Sequence, residues 1–377
     1  MSKICILSMQ MVRNIGSCLQ AYALSKIVKE LGHDVYFIDI EKREEDNILL
    51  NKNRNSFTYE TNDSNSVFDK IKKIDNQFIQ RIRAKIIWEK QGRILDDFRK
   101  NVLGISSESN SDTYDICIIG SDEVFNCLST GEWGFTSQLF GDVKQAKKVI
   151  TYAASCGATN IYQVPLNVQS RIKQAFERVS YFSVRDNNTK NFVEKLTNKN
   201  VITNLDPVLV GDFSNETRDL PRIINDDYCI VYSYFNRFNS KEEIEGIKMF
   251  CNEKNLKIVG VGAPQLWIKN NLALNPFETI KLFKNAKFVI TDTFHGTILA
   301  AKYCGNFATL QRDSNSFKLN DLLERLDIKN HEITNITDIE VAYRQKNTKD
   351  SVANILQYER KRTSLYLRKA LNGEEEI

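Results

Sequence analysis

His295 and Gly296 stand at the junction between two segments of different character. The apolar, β-branched run that ends at Thr291 predicts a strand, and the residues from Thr297 onward predict a helix. Open amides in a helix's first turn attract phosphate or carboxylate, and a glycine lets such a ligand approach the backbone. We therefore expect Gly296 and Thr297 to bind an anionic substrate. His295 can donate to the same anion or transfer a proton, because imidazole titrates near neutral pH. The alternative is a histidine that caps its own helix.

A second candidate anion site follows the first predicted strand. Asn14 and Gly16 stand at the start of a predicted helix, where free amides and a residue without a Cβ again favour a bound anion. The loop has neither the glycine spacing of dinucleotide-binding folds nor that of a P-loop. It therefore gives little support to nicotinamide or ATP binding, and Asp39 after the next strand is interpreted as structural.

Charged side chains also follow three later strands. Ser121, Asp122 and Glu123 come directly after a buried apolar run that breaks at a glycine. Turn formation explains this pattern, but two adjacent carboxylates could also supply a general acid or base, one with a pKa raised by its neighbour. Arg185 ends the next of these strands, and a guanidinium binds carboxylate or phosphate bidentately. A structural contact with the adjacent acid is the alternative there. Asp206 precedes a proline and is interpreted as an ordinary turn residue.

Two common kinds of catalytic site are not indicated. The sequence has no G-x-S-x-G motif, and the two histidines other than His295 lie in polar, turn-like surroundings, so a Ser-His-Asp triad fits poorly. The eight cysteines include no C-x-x-C pair and lie mostly in apolar runs. They are interpreted as core residues in a reducing compartment, with no metal site and no disulfides.

The order of predicted elements alternates between strands and helices. With 377 residues the chain is long enough for two domains. The alternation breaks in a Pro-, Asp- and Asn-rich stretch at 211–227 and then restarts. We therefore expect an α/β fold with two Rossmann-like domains, residues 1–212 and 213–345, facing each other across a cleft. Residues 346–377 are predicted to form a helix that packs back on the N-terminal domain.

Two segments of the N-terminal domain depart from this alternation. Residues 41–65 are polar and unpatterned, which predicts a long loop. Residues 68–100 predict a helical insertion, and the part from 70 to 100 has ten Lys/Arg against four Asp/Glu. A solvated helix face explains this positive charge, and docking to anionic lipid or to a phosphate-bearing acceptor is the alternative. The whole chain carries only +4, which argues against an extended nucleic-acid surface.

The sequence also bears on cellular location. A strand is predicted from Lys3 onward, so no secretory signal peptide is expected. No apolar run approaches the roughly 18 residues that can span a bilayer. We expect a cytoplasmic protein, with peripheral contact at the inner face of the membrane as the alternative.

Six short blocks, taken in order, resemble the polysaccharide pyruvyl transferase family. Each block alone is a weak signal, whereas the ordered set spans about residues 3–310 and is specific. The differences are mild, since Glu123 stands for Gln, Phe125 for Trp and Asp186 for Glu. The blocks are Asn14 to Leu24 (Asn-Ile-Gly-Ser-Cys-Leu-Gln-Ala-Tyr-Ala-Leu), Ile119 to Asn126, Tyr152 to Gly157, Ser183 to Asp186, Leu205 to Pro207 and Thr291 to Gly296.

This resemblance implies a fold and a reaction. The fold is GT-B-like, with two Rossmann-like domains. The reaction moves the enolpyruvyl group of phosphoenolpyruvate onto a sugar of a cell-surface polysaccharide precursor, nucleotide- or lipid-linked, and forms a cyclic pyruvate ketal. Phosphoenolpyruvate is then the donor substrate. No metal or other cofactor is needed if arginine and helix dipoles stabilise the developing charge.

The reaction requires cations, a general acid and a base. Phosphoenolpyruvate carries a carboxylate and a phosphate, so we expect Arg185 and the helix start at His295 to hold it. His295 is expected to assist the departure of phosphate, and Asp122 to transfer a proton at the acceptor. The other expected substrate-binding residues are Asn14, Gly16, Ser121, Gly296 and Thr297.

Two other functions stay open at this point. A GT-B glycosyltransferase would share the fold and bind a sugar nucleotide in the same cleft. A non-catalytic binding or scaffold protein of a polysaccharide locus would also keep the fold, although three intact charged residues, His295, Arg185 and Asp122, argue against a decayed site.

Overall fold

A computed structural model of the protein describes residues 1–49, 67–128, 133–312 and 316–373. From residue 50 onward, the long loop predicted for residues 41–65 lies outside the described residues. The beginning of that segment forms a short helix, Glu44–Asn47.

The first sheet has six strands, which are β1 (Lys3–Leu7), β2 (Asp34–Phe37), β3 (Tyr114–Asp122), β4 (Ala146–Ala154), β5 (Val179–Val184) and β6 (Val201–Thr203). All pair in parallel, in the spatial order β2-β1-β3-β4-β5-β6. The central strands β3 and β4 are buried along most of their length, as expected where helices cover both faces of a parallel sheet.

The second sheet has five strands, which are β7 (Tyr228–Ser233), β8 (Lys257–Gly262), β9 (Phe288–Thr291), β10 (Phe307–Leu310) and β11 (Glu332–Ile333). These also pair in parallel, in the order β11-β10-β9-β7-β8. The two-residue strand β11 is not predicted from the sequence, because so short a segment carries no periodicity.

Both sheets share one topological feature. The first strand in chain order, β1 or β7, lies between the second and the third, so the chain crosses to opposite sides of it in succession. Such a switch point leaves a crevice beyond the carboxyl ends of the two neighbouring strands, and ligands of open α/β sheets bind there. The residues that follow β1 and β3, and those that follow β7 and β9, are therefore the ones placed to form a site.

Thirteen α-helices lie in the described residues, and several begin at recognisable caps. Asn275 and Ser240 form capping boxes with the glutamates three residues later, which satisfies free amides at the helix starts. The helices are α1 (Ile15–Glu30), α2 (Glu44–Asn47), α3 (Val67–Phe98), α4 (Leu166–Phe176), α5 (Asn187–Glu194), α6 (Pro207–Val210), α7 (Ser214–Arg218), α8 (Lys241–Glu253), α9 (Pro276–Asn285), α10 (Phe294–Leu299), α11 (Ser316–Arg325), α12 (Ile339–Tyr343) and α13 (Lys349–Asn372).

The α/β fold class predicted from the sequence is confirmed by these two parallel sheets with their helices. One boundary near the candidate site differs from the prediction. Helix α10 begins at Phe294 rather than Thr297, because the Thr293 side chain accepts from the amide of Gly296 and caps the helix earlier. His295 therefore lies within the first turn of the helix.

Hydrogen bonds join the two halves. Lys302 on the second half donates to the carbonyls of Val208 and Gly211 on the first, at 2.7 and 2.5 Å. Gln91 on α3 makes two hydrogen bonds with the backbone of Leu274. These hydrogen bonds join the two halves directly.

Helix α13 returns to the first half. The Tyr366 hydroxyl donates to the carbonyl of Thr151 on β4 at 2.6 Å, and Arg360 donates to the carbonyl of Val210 at 2.8 Å. At its start, the amide of Thr348 donates to the carbonyl of Gly305 on the second half. The helix thus contacts both halves along its length. The domain boundaries at residues 212 and 345 stay a prediction.

All eight cysteines are buried and free. Cys5 and Cys117 lie opposite each other on β1 and β3, and Cys229 lies on β7. The interpretation of the cysteines as small core residues therefore agrees with their burial.

Candidate active site

Two adjoining cavities lie where the switch points of the two sheets meet. The larger has a volume of about 360 Å³ and the smaller about 60 Å³. Asn14, Tyr234 and His295 line both, so the cavities share a wall. Because residues of both halves line each cavity, a ligand bound there would contact both halves at once.

Asp206 is the centre of the charged network in this cleft. Its buried carboxylate lies 3.2 Å from an Arg185 nitrogen and 3.6 Å from Nε2 of His295. Burial would raise its pKa, but His295 and Arg185 outweigh that effect and hold the pKa of Asp206 below its usual range. The carboxylate also accepts from the amide of Val208 at the start of α6. The position of the Asp206 carboxylate is therefore fixed by its contacts with Arg185, His295 and the amide of Val208.

Arg185 directly follows β5 and lines the larger cavity. Its guanidinium stacks over the Phe294 ring with 4.1 Å to the ring centroid, and one of its nitrogens lies 3.9 Å from Asp122. Only one of its five N–H donors, the one directed at Asp206, has a hydrogen-bond acceptor among the described residues. Arg185 is thus held in place while it retains donors for an anionic ligand.

Ser121 does not line either cavity. It is fully buried, and its hydroxyl contacts the side-chain oxygens of Gln20 and Asp206 at 3.2 and 3.3 Å. The geometry supports a role in positioning Asp206, and it does not support the direct substrate contact expected from the sequence.

Asp122 ends β3 and lines the larger cavity. Its carboxylate accepts a hydrogen bond of 2.7 Å from the Ser17 hydroxyl and another from the amide of Glu123. Its φ of 78° lies in the left-handed region, which Asp tolerates better than most residues. The carboxylate is therefore oriented by its neighbours and faces the space where a ligand would bind.

Glu123 pairs with Lys318, a residue that the sequence patterns do not single out. The Lys318 ammonium lies 2.6 Å from the Glu123 carboxylate. Burial raises the pKa of that carboxylate, but Lys318 and Arg185 outweigh it and lower the pKa of Glu123 to about 2. The expectation of a carboxylate with a raised pKa is therefore wrong for Glu123. The pair adds a lysine from α11 to the cavity wall.

Asn14 and Gly16 are brought to the cleft as expected, but the glycine has a different partner. Asn14 lines both cavities, and its side chain caps α1 by accepting from the Gly16 amide at 2.7 Å. A Cβ at Gly16 would overlap the imidazole of His295. Gly16 is therefore needed for the close approach of His295, and the geometry does not support a ligand in that place.

Gly296 and Thr297 lie behind His295 and are engaged within the protein. The Gly296 amide donates to the Thr293 hydroxyl, and the Thr297 hydroxyl donates to the Thr293 carbonyl. A Cβ at Gly296 would overlap the side chains of Thr291, Thr293 and Tyr232. The geometry gives these two residues a packing role, and the substrate contact expected of them has no support in it.

The smaller cavity has aromatic walls. Trp88 on α3 and Phe235 after β7 meet edge to face, with ring centroids 6.4 Å apart. The Arg13 guanidinium lies over the Trp88 ring, 5.5 Å from its centroid. Phe235 and the neighbouring Tyr234 are about half exposed. Exposed aromatic faces beside polar groups suit the apolar faces and hydroxyls of a sugar ring.

A second buried carboxylate lies at the switch point of the second sheet. Asp292, directly after β9, accepts from the Ser233 hydroxyl at 2.5 Å and lies close to Arg237 and Arg312. Burial raises the pKa of Asp292, and the two arginines act in the opposite direction. This carboxylate orders the chain between β9 and His295.

Three residues important to this geometry are not indicated by the sequence, or only weakly. The sequence indicates a turn residue at Asp206, although it occupies the same position after a strand as the other candidates. Lys318 and Trp88 carry no local signal, because each reaches the cleft from a helix that packs across from elsewhere in the chain.

Two parallel α/β halves with a charged site between their switch points define a GT-B-type architecture. The chain belongs to the polysaccharide pyruvyl transferase family, since the family's sequence model matches residues 14–314. That match covers most of the chain and includes all the blocks on which the resemblance was based.

Solved structures of low sequence identity superpose on the chain. The S. aureus MnaA structure with UDP superposes with a TM-score of 0.52 at 12% identity, covering 100% of this chain and 99% of that one. The UDP-GlcNAc 2-epimerase of Methanocaldococcus jannaschii, in complex with UDP-GlcNAc and UDP, gives a TM-score of 0.48 at 15% identity, covering 94% of this chain and 99% of that one. The glycosyltransferase SnogD of Streptomyces nogalater gives a TM-score of 0.42 at 11% identity, covering 97% of each chain. At such identities the likeness concerns the fold alone.

A search of curated proteins gave no match. Among the described residues, no helix combines the length and the apolar character needed to cross a membrane.

Proposed function

We propose that this protein transfers the enolpyruvyl group of phosphoenolpyruvate to two hydroxyls of one sugar in a cell-surface polysaccharide precursor, forming a pyruvate ketal. The observation that carries the proposal is the Arg185–Asp206–His295 network at the wall of the larger cavity, 3.2 and 3.6 Å between partners. Family membership supports the reaction class.

The donor is assigned to the larger cavity. Phosphoenolpyruvate has a carboxylate and a phosphate, and this cavity is lined by Arg185, Lys318 and His295. Among the described residues, the amides of Phe294 and His295, the first two of α10, have no hydrogen-bond acceptor. Arginine donors and free amides together suit the two anionic groups of the donor.

The acceptor sugar is assigned to the smaller cavity. This cavity adjoins the donor site along the wall formed by Asn14, Tyr234 and His295. Trp88 and Phe235 supply ring faces for the sugar, and Arg13 supplies N–H donors for its hydroxyls. A sugar there would present its hydroxyls to the C2 atom of the donor.

The proposed reaction proceeds by protonation and two additions. A proton is added to C3 of phosphoenolpyruvate, so C2 becomes an electrophile and is attacked by one sugar hydroxyl. The C2–O bond to phosphate then breaks, and the second hydroxyl of the same sugar attacks C2. Of the two hydroxyl protons released, one replaces the proton used at C3 and the other leaves with phosphate. Methyl, carboxylate and two sugar oxygens remain on C2.

His295 and Asp122 are proposed to move these protons. The Nε2 atom of His295 lies 3.6 Å from Asp206 and has no hydrogen-bond partner among the described residues, so it is proposed to protonate the phosphate leaving group. Asp122 accepts from Ser17 and faces the cavity, so it can take a proton from an acceptor hydroxyl. Each such proton transfer contributes roughly 10²–10⁴ in rate.

Ligand-induced thermal stabilisation tests the donor. Phosphoenolpyruvate at 100 times its dissociation constant should stabilise the wild type by about 2.7 kcal/mol, and Arg185→Ala, compared with its own unliganded form, should lose the shift. Stabilisation by sugar nucleotides but never by phosphoenolpyruvate would favour a glycosyltransferase. With a stabilising acceptor present, release of phosphate observed by ³¹P NMR would show turnover. Binding of both substrates without phosphate release would favour a non-catalytic member of the family.

A further inference from the structure

Helix α3 carries a row of large apolar side chains on its outer surface. Phe78, Ile79, Ile82 and Ile86 are 63%, 46%, 44% and 59% exposed. At 3.6 residues per turn, these four positions share one side of the helix. We call this surface the α3 outer face. A continuous apolar row of this kind on a helix marks a contact surface more often than an isolated exposed leucine does.

The α3 outer face is distinct from the side of the helix that packs on the protein. Ala84, Gln91 and Leu95 are buried, and the helical spacing places them roughly opposite the exposed row. The helix therefore has one side packed on the protein and a separate apolar side that is exposed.

Unpaired positive charge flanks the exposed row. Arg81, Arg83 and Lys85 are exposed and lie between its members. Within the described residues, none of the three has a carboxylate at salt-bridge distance, whereas Glu89 pairs with Arg13 at 3.7 Å. The surface thus combines apolar side chains with basic ones whose charge is free for an external partner.

We propose that the α3 outer face docks on a membrane surface that carries anionic phospholipid headgroups. Helices of this composition lie in the plane of the interface, with the apolar side chains among the acyl chains and the basic ones at the phosphates. Charge complementarity favours this partner over a second copy of the chain, because two such faces in contact would bring their arginines together.

The same helix leads to the cavity assigned to the acceptor. Trp88 lies six residues beyond Ile82, about 9 Å along the helix axis, and forms the wall of the smaller cavity. Docking would hold this cavity close to the lipid surface. With the proposed function, this position makes the acceptor sugar lipid-linked. Only this assignment of the acceptor rests on the proposed function; the membrane docking does not.

Vesicle sedimentation tests the proposal. The wild-type protein should pellet with vesicles of equal parts phosphatidylglycerol and phosphatidylcholine, and stay in the supernatant with pure phosphatidylcholine. The double variant Ile82→Asp/Ile86→Asp should bind at least about tenfold more weakly, since it removes apolar contacts and adds negative charge. The matched control Met249→Asp/Val341→Asp, at positions 64% and 60% exposed on α8 and α12, should bind as the wild type does.

Two results would overturn the proposal. One is wild-type protein that stays in the supernatant with both kinds of vesicle. The other is a dimer in light scattering that becomes a monomer in Ile82→Asp/Ile86→Asp, which would identify a second copy as the partner. Because sedimentation uses no substrate, failure of the proposed reaction would leave its outcome unchanged.

Discussion

The imidazole of His295 lies directly against Gly16, so that the first turns of α1 and α10 meet across the cleft. One helix belongs to the first half of the molecule and the other to the second. The contact brings the imidazole Nε2 to 3.6 Å from the carboxylate of Asp206. A single methyl group at position 16 would therefore disturb the site without removing any functional group.

Gly16→Ala should reduce kcat at least tenfold, because the added Cβ displaces the His295 ring from Asp206. The expected cost in the free energy of unfolding is about 1–3 kcal/mol. Steady-state kinetics and urea unfolding measure the two effects. Gly246→Ala is the matched control, since its Cβ would meet only the end of the Ile336 side chain, away from the cleft. Equal kinetics in the two variants would contradict the proposed role of His295.

His295→Ala should abolish turnover while the fold is kept. The ring is proposed to protonate the leaving phosphate, and its removal takes away a general acid worth roughly 10²–10⁴ in rate. Phosphate release measures the activity, and circular dichroism with thermal unfolding checks the fold. A folded variant with more than about a tenth of wild-type turnover would refute the assignment.

Asp206→Asn should destabilise the protein by about 3–5 kcal/mol, because the buried Arg185 loses its partner at 3.2 Å and keeps its charge. The loss should appear as a lower urea midpoint with an unchanged slope. Asp226→Asn, at an exposed carboxylate that pairs with the exposed Lys257, is the control and should cost less. Similar losses in the two variants would mean that the Asp206 network contributes no more than an ordinary ion pair.

Trp88→Ala should raise KM for the acceptor about tenfold and change kcat little, since the ring is proposed to stack on the sugar. Trp88→Phe keeps a ring face and should recover part of the affinity. Trp267→Phe is the control, because that indole donates to the Phe238 carbonyl outside both cavities. A change in KM for phosphoenolpyruvate instead would place the donor in the smaller cavity.

The Glu123–Lys318 pair predicts a pH dependence of stability. The pKa of Glu123 falls from 4.5 to about 2 on folding, so its contribution is complete above pH 4.5 and is lost as the pH falls towards 2. The difference in unfolding free energy between wild type and Glu123→Gln should be full above pH 4.5 and should shrink as the pH falls towards 2. Because the Glu123 side chain is 31% exposed, solvent screening limits this difference to about 1 kcal/mol. A difference that persists unchanged at pH 2 would contradict the pairing.

The architecture was predictable because it rests on local patterns. Apolar, β-branched runs such as the one ending at Thr291 identify strands, and their alternation with helices predicts parallel sheets. The rule that ligands bind beyond the carboxyl ends of strands then groups residues far apart in the chain, including Asp122, Arg185 and His295. The structure brings these three to one cavity.

The parts that sequence could not predict depend on packing between distant segments. Lys318 and Trp88 enter the cleft because α11 and α3 cross over it, and nothing in their own neighbourhood indicates this. For Gly16 the need for a close approach was predicted, but the approaching group is an imidazole and not a ligand. A glycine in the sequence indicates that some group approaches the backbone closely, and the fold identifies that group as the imidazole of His295.

Helix α13 has a consequence for how the cleft can open. The chain passes from the first half to the second between β6 and β7 and returns through α13, whose Arg360 donates to Val210 in that connection. Two connections close together act as a hinge. Rotation about this hinge would widen the cleft at the edge far from it and would barely move the residues beside it. Substrates would therefore enter and leave from that far edge.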